Sequence, residues 1–240
     1  MLPSPSSEPP PIARTVAFME VLICSDYPTQ IALAGLFNAL GYAATNPDKT
    51  LNIGFIVTLS LIDAVLLVGL MLAFLRAHGE RPRDVFLGRR PILEEALHGL
   101  PLIFAAIFIG AAVLLTIQAV APSLHNVANN PLRDLIRSPG SALLFALVVL
   151  VAGGIREELQ RAFLLHRFEV FLGGSTVGLV VASAAFGAGH LLQGADAAIT
   201  TGLLGAFWGV VYLRRRSVIA PMVSHAGFDL LQIVMFLSVA

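Results

Sequence analysis

The side chains able to do chemistry in this sequence are few, and they gather in three short clusters. The first is Arg156-Glu157-Glu158-Leu159-Gln160-Arg161. On a helix, Glu157 and Arg161 stand at i,i+4 and Glu158 and Arg161 at i,i+3, so Arg161 can neutralise one acid. The other acid projects about 100° around the helix and stays available. The second cluster is Phe186-Gly187-Ala188-Gly189-His190, in which two glycines before the imidazole let another backbone or a substrate approach closely. The third is His225-Ala226-Gly227-Phe228-Asp229, with His225 and Asp229 on one face at i,i+4. Carboxylates and imidazoles are the groups that exchange protons near neutral pH. Three segments, each offering one such face, point to a shared polar interior.

The elements that must hold these clusters are membrane helices. Of the 240 residues, 57% are hydrophobic and 12% charged, and the mean hydropathy is +0.84. A soluble domain carries about 25% charged residues, so a lipid-facing exterior is the simplest way to place this much apolar surface. The fold class expected is an all-α, polytopic transmembrane bundle of about seven spans, each needing roughly 20 apolar residues. A first, weak span starts at Pro28 and runs to about Ala44, after an amphipathic interfacial piece over 14–26. The second covers Leu51 to Leu75 and carries Asp63, which has no evident partner and is read as structural or pore-lining. The third covers Ile92 to Val120, with Pro101 as an expected kink. After a polar loop over 121–139, a fourth begins near Ser141 and passes through Gly153-Gly154 into the first cluster. The fifth begins after Gly173-Gly174 and ends near Leu192, the sixth covers about 197–213, and the seventh follows Arg214-Arg215-Arg216 and runs to the end. Residues 1–13, rich in Pro and Ser, read as a disordered tail without a secretory signal peptide; 14–240 read as one membrane domain.

An ionisable group at mid-helix in a bilayer costs at least about 2.5–3.5 kcal/mol, so those that persist pair, line a wet cavity or do work. Basic residues divide unevenly between alternate connecting segments. Arg14, Arg76, Arg81, Arg83, Arg89, Arg90, Arg167 and Arg214 to Arg216 fall on one side, and Lys49, Arg133 and Arg137 on the other. The positive-inside rule then places the N-terminus in the cytoplasm and the C-terminus outside a cell membrane. Zero net charge gives no reason to expect nucleic acid. Cys24 is the only cysteine, which excludes an intrachain disulfide and a multi-cysteine zinc site.

The order Glu-Glu with a downstream Arg, then Phe-x-x-x-His, then His-x-x-x-Asp on late helices resembles the CAAX protease and bacteriocin-processing family of intramembrane proteases. This is the type II CAAX prenyl endopeptidase group, and the resemblance covers about Ala142 to the C-terminus. It implies an endopeptidase acting on a peptide or protein, with a lipidated peptide suggested by the family name, inside the lipid bilayer. By that resemblance Glu157 and His190 would hold and deprotonate a water. His225 and Asp229 would polarise the scissile carbonyl, while Arg161 and Glu158 would give support and Phe186 would shape the site. Amide hydrolysis needs such an activated water and a fixed group where negative charge develops. Two departures stand out. The family spacing is Glu-Glu-x-x-x-Arg, but only two residues separate Glu158 from Arg161. Aligned on the Arg, the first Glu position holds Arg156 and the second Glu157, so the base is Glu157 in preference to Glu158. Asp229 stands where Asn is common; an ionised Asp would repel an oxyanion, so it must be protonated, orient His225 or bind a metal. Two histidines with carboxylates would suit zinc, which makes Glu157, His190, His225 and Asp229 candidate ligands and leaves the use of a metal open.

Rival readings exist. Glu94-Glu95-Ala96-Leu97-His98 also sets an acid and an imidazole at i,i+4, but a solvated helix N-terminus favouring acids explains it. A transporter, immunity or scaffold protein would use the buried acids and histidines as proton relays or packing pairs. An inactive family member would keep the fold and lose the chemistry.

Overall fold

The structure, a computed structural model, describes residues 9–128, 130–136 and 138–239; most of the expected tail, residues 1–8, lies outside them. Nine helices follow in chain order: α1 (Pro11–Ile23), α2 (Tyr27–Ala39), α3 (Ile53–Ala77), α4 (Pro82–Phe86), α5 (Ile92–Val120), α6 (Pro139–Phe171), α7 (Ser175–Ala188), α8 (Ala195–Arg215) and α9 (Ile219–Val239). Local chemistry sets the starts of two long ones. Asn52 caps α3 by accepting the Phe55 amide. Ser138 and Ser141 form a reciprocal capping box at α6, with Pro139 in the first turn, where its missing N–H costs nothing.

Five of these helices, α3, α5, α6, α8 and α9, are long and apolar enough to cross a membrane. The expected seven are therefore not all present as full spans. The first expected span stops at Ala39, because the chain turns at Leu40-Gly41, and α2 has only 13 residues. The fifth is α7, with 14 residues and a length of about 21 Å at ~1.5 Å per residue, short of the ~30 Å hydrocarbon core. α5 shows the lipid-facing pattern: Phe104, Phe108 and Leu115 are exposed along one stripe, while Gly99, Ala106 and Gly110 are buried on the other. Pro101 lies within this continuous helix.

The arginine-rich ends of α3, α5, α6 and α8 come together. Arg215 forks onto the fully buried Glu95 at 2.8 and 2.7 Å, and Arg216 onto Glu169 at 2.5 and 2.7 Å. Glu95 is thus not a solvated helix-start acid, as its neighbours suggested, but the buried partner of an arginine 120 residues away. At the same end Arg167, with no exposed surface, bridges Glu20 of α1 at 2.6 Å and Glu80 of the α3–α4 link at 2.5 Å.

α9 packs along α5 and along the middle of α6. There the helix is widened: Val149–Glu157 follow a π-helical course. Such stretches frequently occur at functional sites, since they rotate the residues beyond them. Gly153 and Gly154 lie in this stretch. A methyl on Gly154 would sit 2.7 Å from the Ala226 Cβ, and one on Gly153 would sit 2.8 Å from Asp229 Oδ2. Only glycine lets α9 come this near, and that closeness brings His225 and Asp229 against the acidic pair.

Candidate active site

Glu157 and Glu158 part company where the π-helical stretch ends. Glu158 is fully buried; it accepts a hydrogen bond from Arg161 Nη1 and lies 2.8 Å from His225 Nδ1. Arg161 therefore neutralises Glu158, not Glu157, and the short spacing to the arginine is met by an i,i+3 pair. Because that acid is an acceptor paired with a cation, the His225 proton sits on Nδ1 and donates to it. His225 Nε2 is left between two other carboxylates, Glu157 Oε2 at 3.8 Å and Asp229 Oδ2 at 3.7 Å.

The first, second and third clusters converge on one cavity of ≈950 Å³. Glu157, His190, His225, Asp229, Arg161 and Phe186 all line it, and Glu158 stands behind them. His190 lies just past the end of α7, where the chain unwinds, and its Nδ1 donates to the Phe186 carbonyl at 2.8 Å. That leaves Nε2 without a partner among the described residues. Among those residues His190 makes no ion pair with either glutamate. It joins the group through the Phe186 ring, whose centroid lies 4.9 Å from His190 and 6.1 Å from His225. The same ring carries the Arg161 guanidinium at 4.8 Å, a cation–π contact. Gly187 serves the approach of α7 to α8, since a Cβ there would meet the Ala198 carbonyl at 2.6 Å.

Several residues at the site had not been singled out. Trp208 of α8 stacks on His225 at 3.9 Å between centroids with 19° between planes, and its Nε1 donates to Ser224 at 3.1 Å. As the only tryptophan in a stretch otherwise read as a plain span, it was the one available signal. Asp26, between α1 and α2, reaches Arg156 at 2.9 Å, and Gln160 accepts from Arg156 at 3.1 Å. Asp63 is fully buried on α3, and neither of its carboxylate oxygens is hydrogen-bonded among the described residues. His125 and Asp196, which also line the cavity, pair at 2.7 Å. Apart from the i,i+4 pair Arg156–Gln160, these meetings join separate helices and loops, which no spacing rule foretells.

Glu157, His190, His225 and Asp229, the candidate zinc ligands, do not gather as one ligand set. Among the described residues no group of three or more His, Cys, Asp and Glu is arranged to hold an ion. His225 gives Nδ1 to Glu158 and His190 gives Nδ1 to the Phe186 carbonyl, so each imidazole keeps Nε2 toward the cavity group, and both rings lie against Phe186.

What the arrangement offers is a cavity-facing carboxylate, an imidazole with one nitrogen to spare, and a second imidazole held between acids and stacked on an indole. Neither the comparison with curated proteins nor that with solved structures gives a match. The segment from α6 into α9 holds all of these groups except those contributed by the N-terminal helices. That segment, residues 139–231, matches the family model described as Type II CAAX prenyl endopeptidase Rce1-like, consistent with the CAAX protease and bacteriocin-processing family whose motif order the sequence carries.

Proposed function

We propose that this chain is an intramembrane endopeptidase in which Glu157 is the general base. The observation that carries the reading is the division of labour within the acidic pair: Glu157 faces the cavity beside His225, while Glu158 is buried and already neutralised by Arg161. A free carboxylate can take a proton; one locked under a guanidinium cannot.

In the reaction, a water held between Glu157 and the spare Nε2 of His190 loses a proton to Glu157 as its oxygen attacks the scissile carbonyl carbon. The carbonyl oxygen gains the negative charge, and His225, in its imidazolium form, donates Nε2–H to it. Glu158 fixes His225 from the Nδ1 side, Trp208 holds the ring plane, and Asp229, one turn further along α9, closes the other side of Nε2. As the intermediate collapses, the C–N bond breaks and the proton on Glu157 passes to the leaving amine.

The substrate is a peptide reached from the bilayer. A lipidated CAAX-type peptide fits the apolar part of the cavity wall, which includes Ile31, Ile56, Leu114, Ile136 and Phe145. The arginine-rich end of the bundle faces the cytoplasm of a cell-membrane protein by the positive-inside rule.

The test is cleavage of an internally quenched, prenylated CAAX peptide by the purified protein in detergent. Glu157→Gln, His190→Ala and His225→Ala should each lower turnover by at least about 10²-fold, the usual worth of an acid–base group, with melting temperature retained for Glu157→Gln. Full activity in all three rejects the assignment. No cleavage of any peptide by the native protein, together with proton-coupled flux in vesicles, would point to a transporter instead.

A further inference from the structure

Arg156 stands immediately before the proposed base, is 5% exposed and lines the cavity. Its guanidinium faces two acids. Nη1 is 2.9 Å from Asp26 Oδ2, and Nη2 is 3.6 Å from Glu157 Oε1. The first distance is a charge-assisted hydrogen bond and the second is not. Asp26 comes from the α1–α2 turn, outside the segment that matches the family model.

That turn is built to hold Asp26 in place. Asp26 takes a left-handed backbone, φ 81°, which a non-glycine residue adopts only when its surroundings fix it. The Gln30 amide donates to Asp26 Oδ2 at 2.7 Å. The Gln160 amide, one turn past Arg156, donates to the Cys24 carbonyl at 2.8 Å. The Tyr27 hydroxyl donates to the Ala185 carbonyl of α7 at 2.7 Å. One polar tie thus holds Asp26 within the turn, and two fasten the turn to α6, which carries Glu157, and to α7, whose end precedes His190.

We propose that Asp26 is a positioning residue of the active site: it holds the Arg156 guanidinium off Glu157, so that the Glu157 carboxylate stays free to accept a proton from water. A buried guanidinium must find a carboxylate. Without Asp26 the nearest cavity-facing one is Glu157, and a movement of less than about 1 Å would close a charge-assisted pair there. Glu157 would then be neutralised as Glu158 already is by Arg161. This inference rests on Glu157 being the base.

The experiment is a double-mutant cycle on cleavage of the prenylated CAAX peptide by full-length protein. It uses Asp26→Asn, Arg156→Gln and the pair together, with Glu157→Gln alongside and folding followed by melting temperature. Asp26→Asn should lower kcat about 10²-fold with KM within about twofold, since the base and not the binding surface is lost. Once the guanidinium is gone Asp26 has nothing to restrain, so Arg156→Gln and the double variant should share one kcat, above that of Asp26→Asn. A further drop on adding Asp26→Asn to Arg156→Gln, or a normal kcat in a folded Asp26→Asn, overturns the proposal while an inactive Glu157→Gln keeps the base assignment standing. Full turnover by Glu157→Gln overturns both.

Discussion

Replacing Gly154 with alanine drives a methyl group into the facing helix. The added carbon lies 2.7 Å from the Ala226 Cβ and 3.3 Å from its Cα, whereas carbons rest about 3.5–4.0 Å apart. Neither contact can be relieved by turning a side chain, so α6 and α9 must separate by about 1 Å. His225 is the residue next to Ala226, and the same shift stretches its 2.8 Å contact with Glu158 to about 3.8 Å, too long for a hydrogen bond. Overpacking of this kind costs about 1–3 kcal/mol, and a displacement of about 1 Å in a catalytic group costs about 10²-fold in rate. Two assays read the result. Trp208 is the only tryptophan and stacks on His225, so its emission reports that contact without any substrate. Emission should rise as the ring departs, and peptide cleavage should fall about 10²-fold. Adding Ala226→Gly, which removes the facing methyl, should recover most of both. Gly35→Ala, where a Cβ meets nothing within 4 Å, is the control and should change neither. Unchanged emission and turnover in Gly154→Ala would refute the argument that this glycine sets the distance between the acids and His225.

Other consequences are open to measurement. Glu158→Gln leaves Arg161 buried without its counter-charge and should lower stability by about 3–5 kcal/mol, seen as a large drop in melting temperature, whereas Glu157→Gln should melt near the native value; equal melting of the two would contradict the separate roles. Arg167→Met removes a fully buried guanidinium and leaves Glu20 and Glu80 with only His78 and His166 as partners, and a loss of about 3 kcal/mol is expected from chemical denaturation, with a near-neutral effect counting against the bridge. Glu80 lies between α3 and α4, outside the spanning helices. Burial pushes its carboxyl up, but hydrogen bonds from His166 at 2.8 Å and Arg167 at 2.5 Å prevail and hold it below the usual carboxylate range. A depressed folded value adds stability above the unfolded pKa of about 4.3 and loses it as pH falls through the folded value. The melting-temperature gap between native protein and Glu80→Gln should therefore hold steady near neutrality and shrink in acid; a gap that widens on acidification would contradict this.

The long helices were legible because their signals are local and repeated. An uninterrupted apolar run, a Ser or Asn cap and a proline in the first turn all act within a few residues, and α5 begins and ends where the sequence places it. The three polar clusters were legible for the same reason: Glu157 with Glu158, His190, and His225 with Asp229 stand out against aliphatic surroundings where any charge is costly. What the residues could not show is which acid stays free. That depends on the π-helical stretch before Glu157, on the close approach of α9 at Gly154, and on Arg161 choosing the nearer i,i+3 partner. The short reach of α2 and α7 was hidden too, since apolar composition alone does not reveal where a helix stops. Partners such as Asp26 for Arg156, Arg215 for Glu95 and Trp208 for His225 come from distant parts of the chain. Helix formation is governed by neighbours in sequence, whereas the pairing of buried charges is governed by neighbours in space, and only the packed bundle decides who those are.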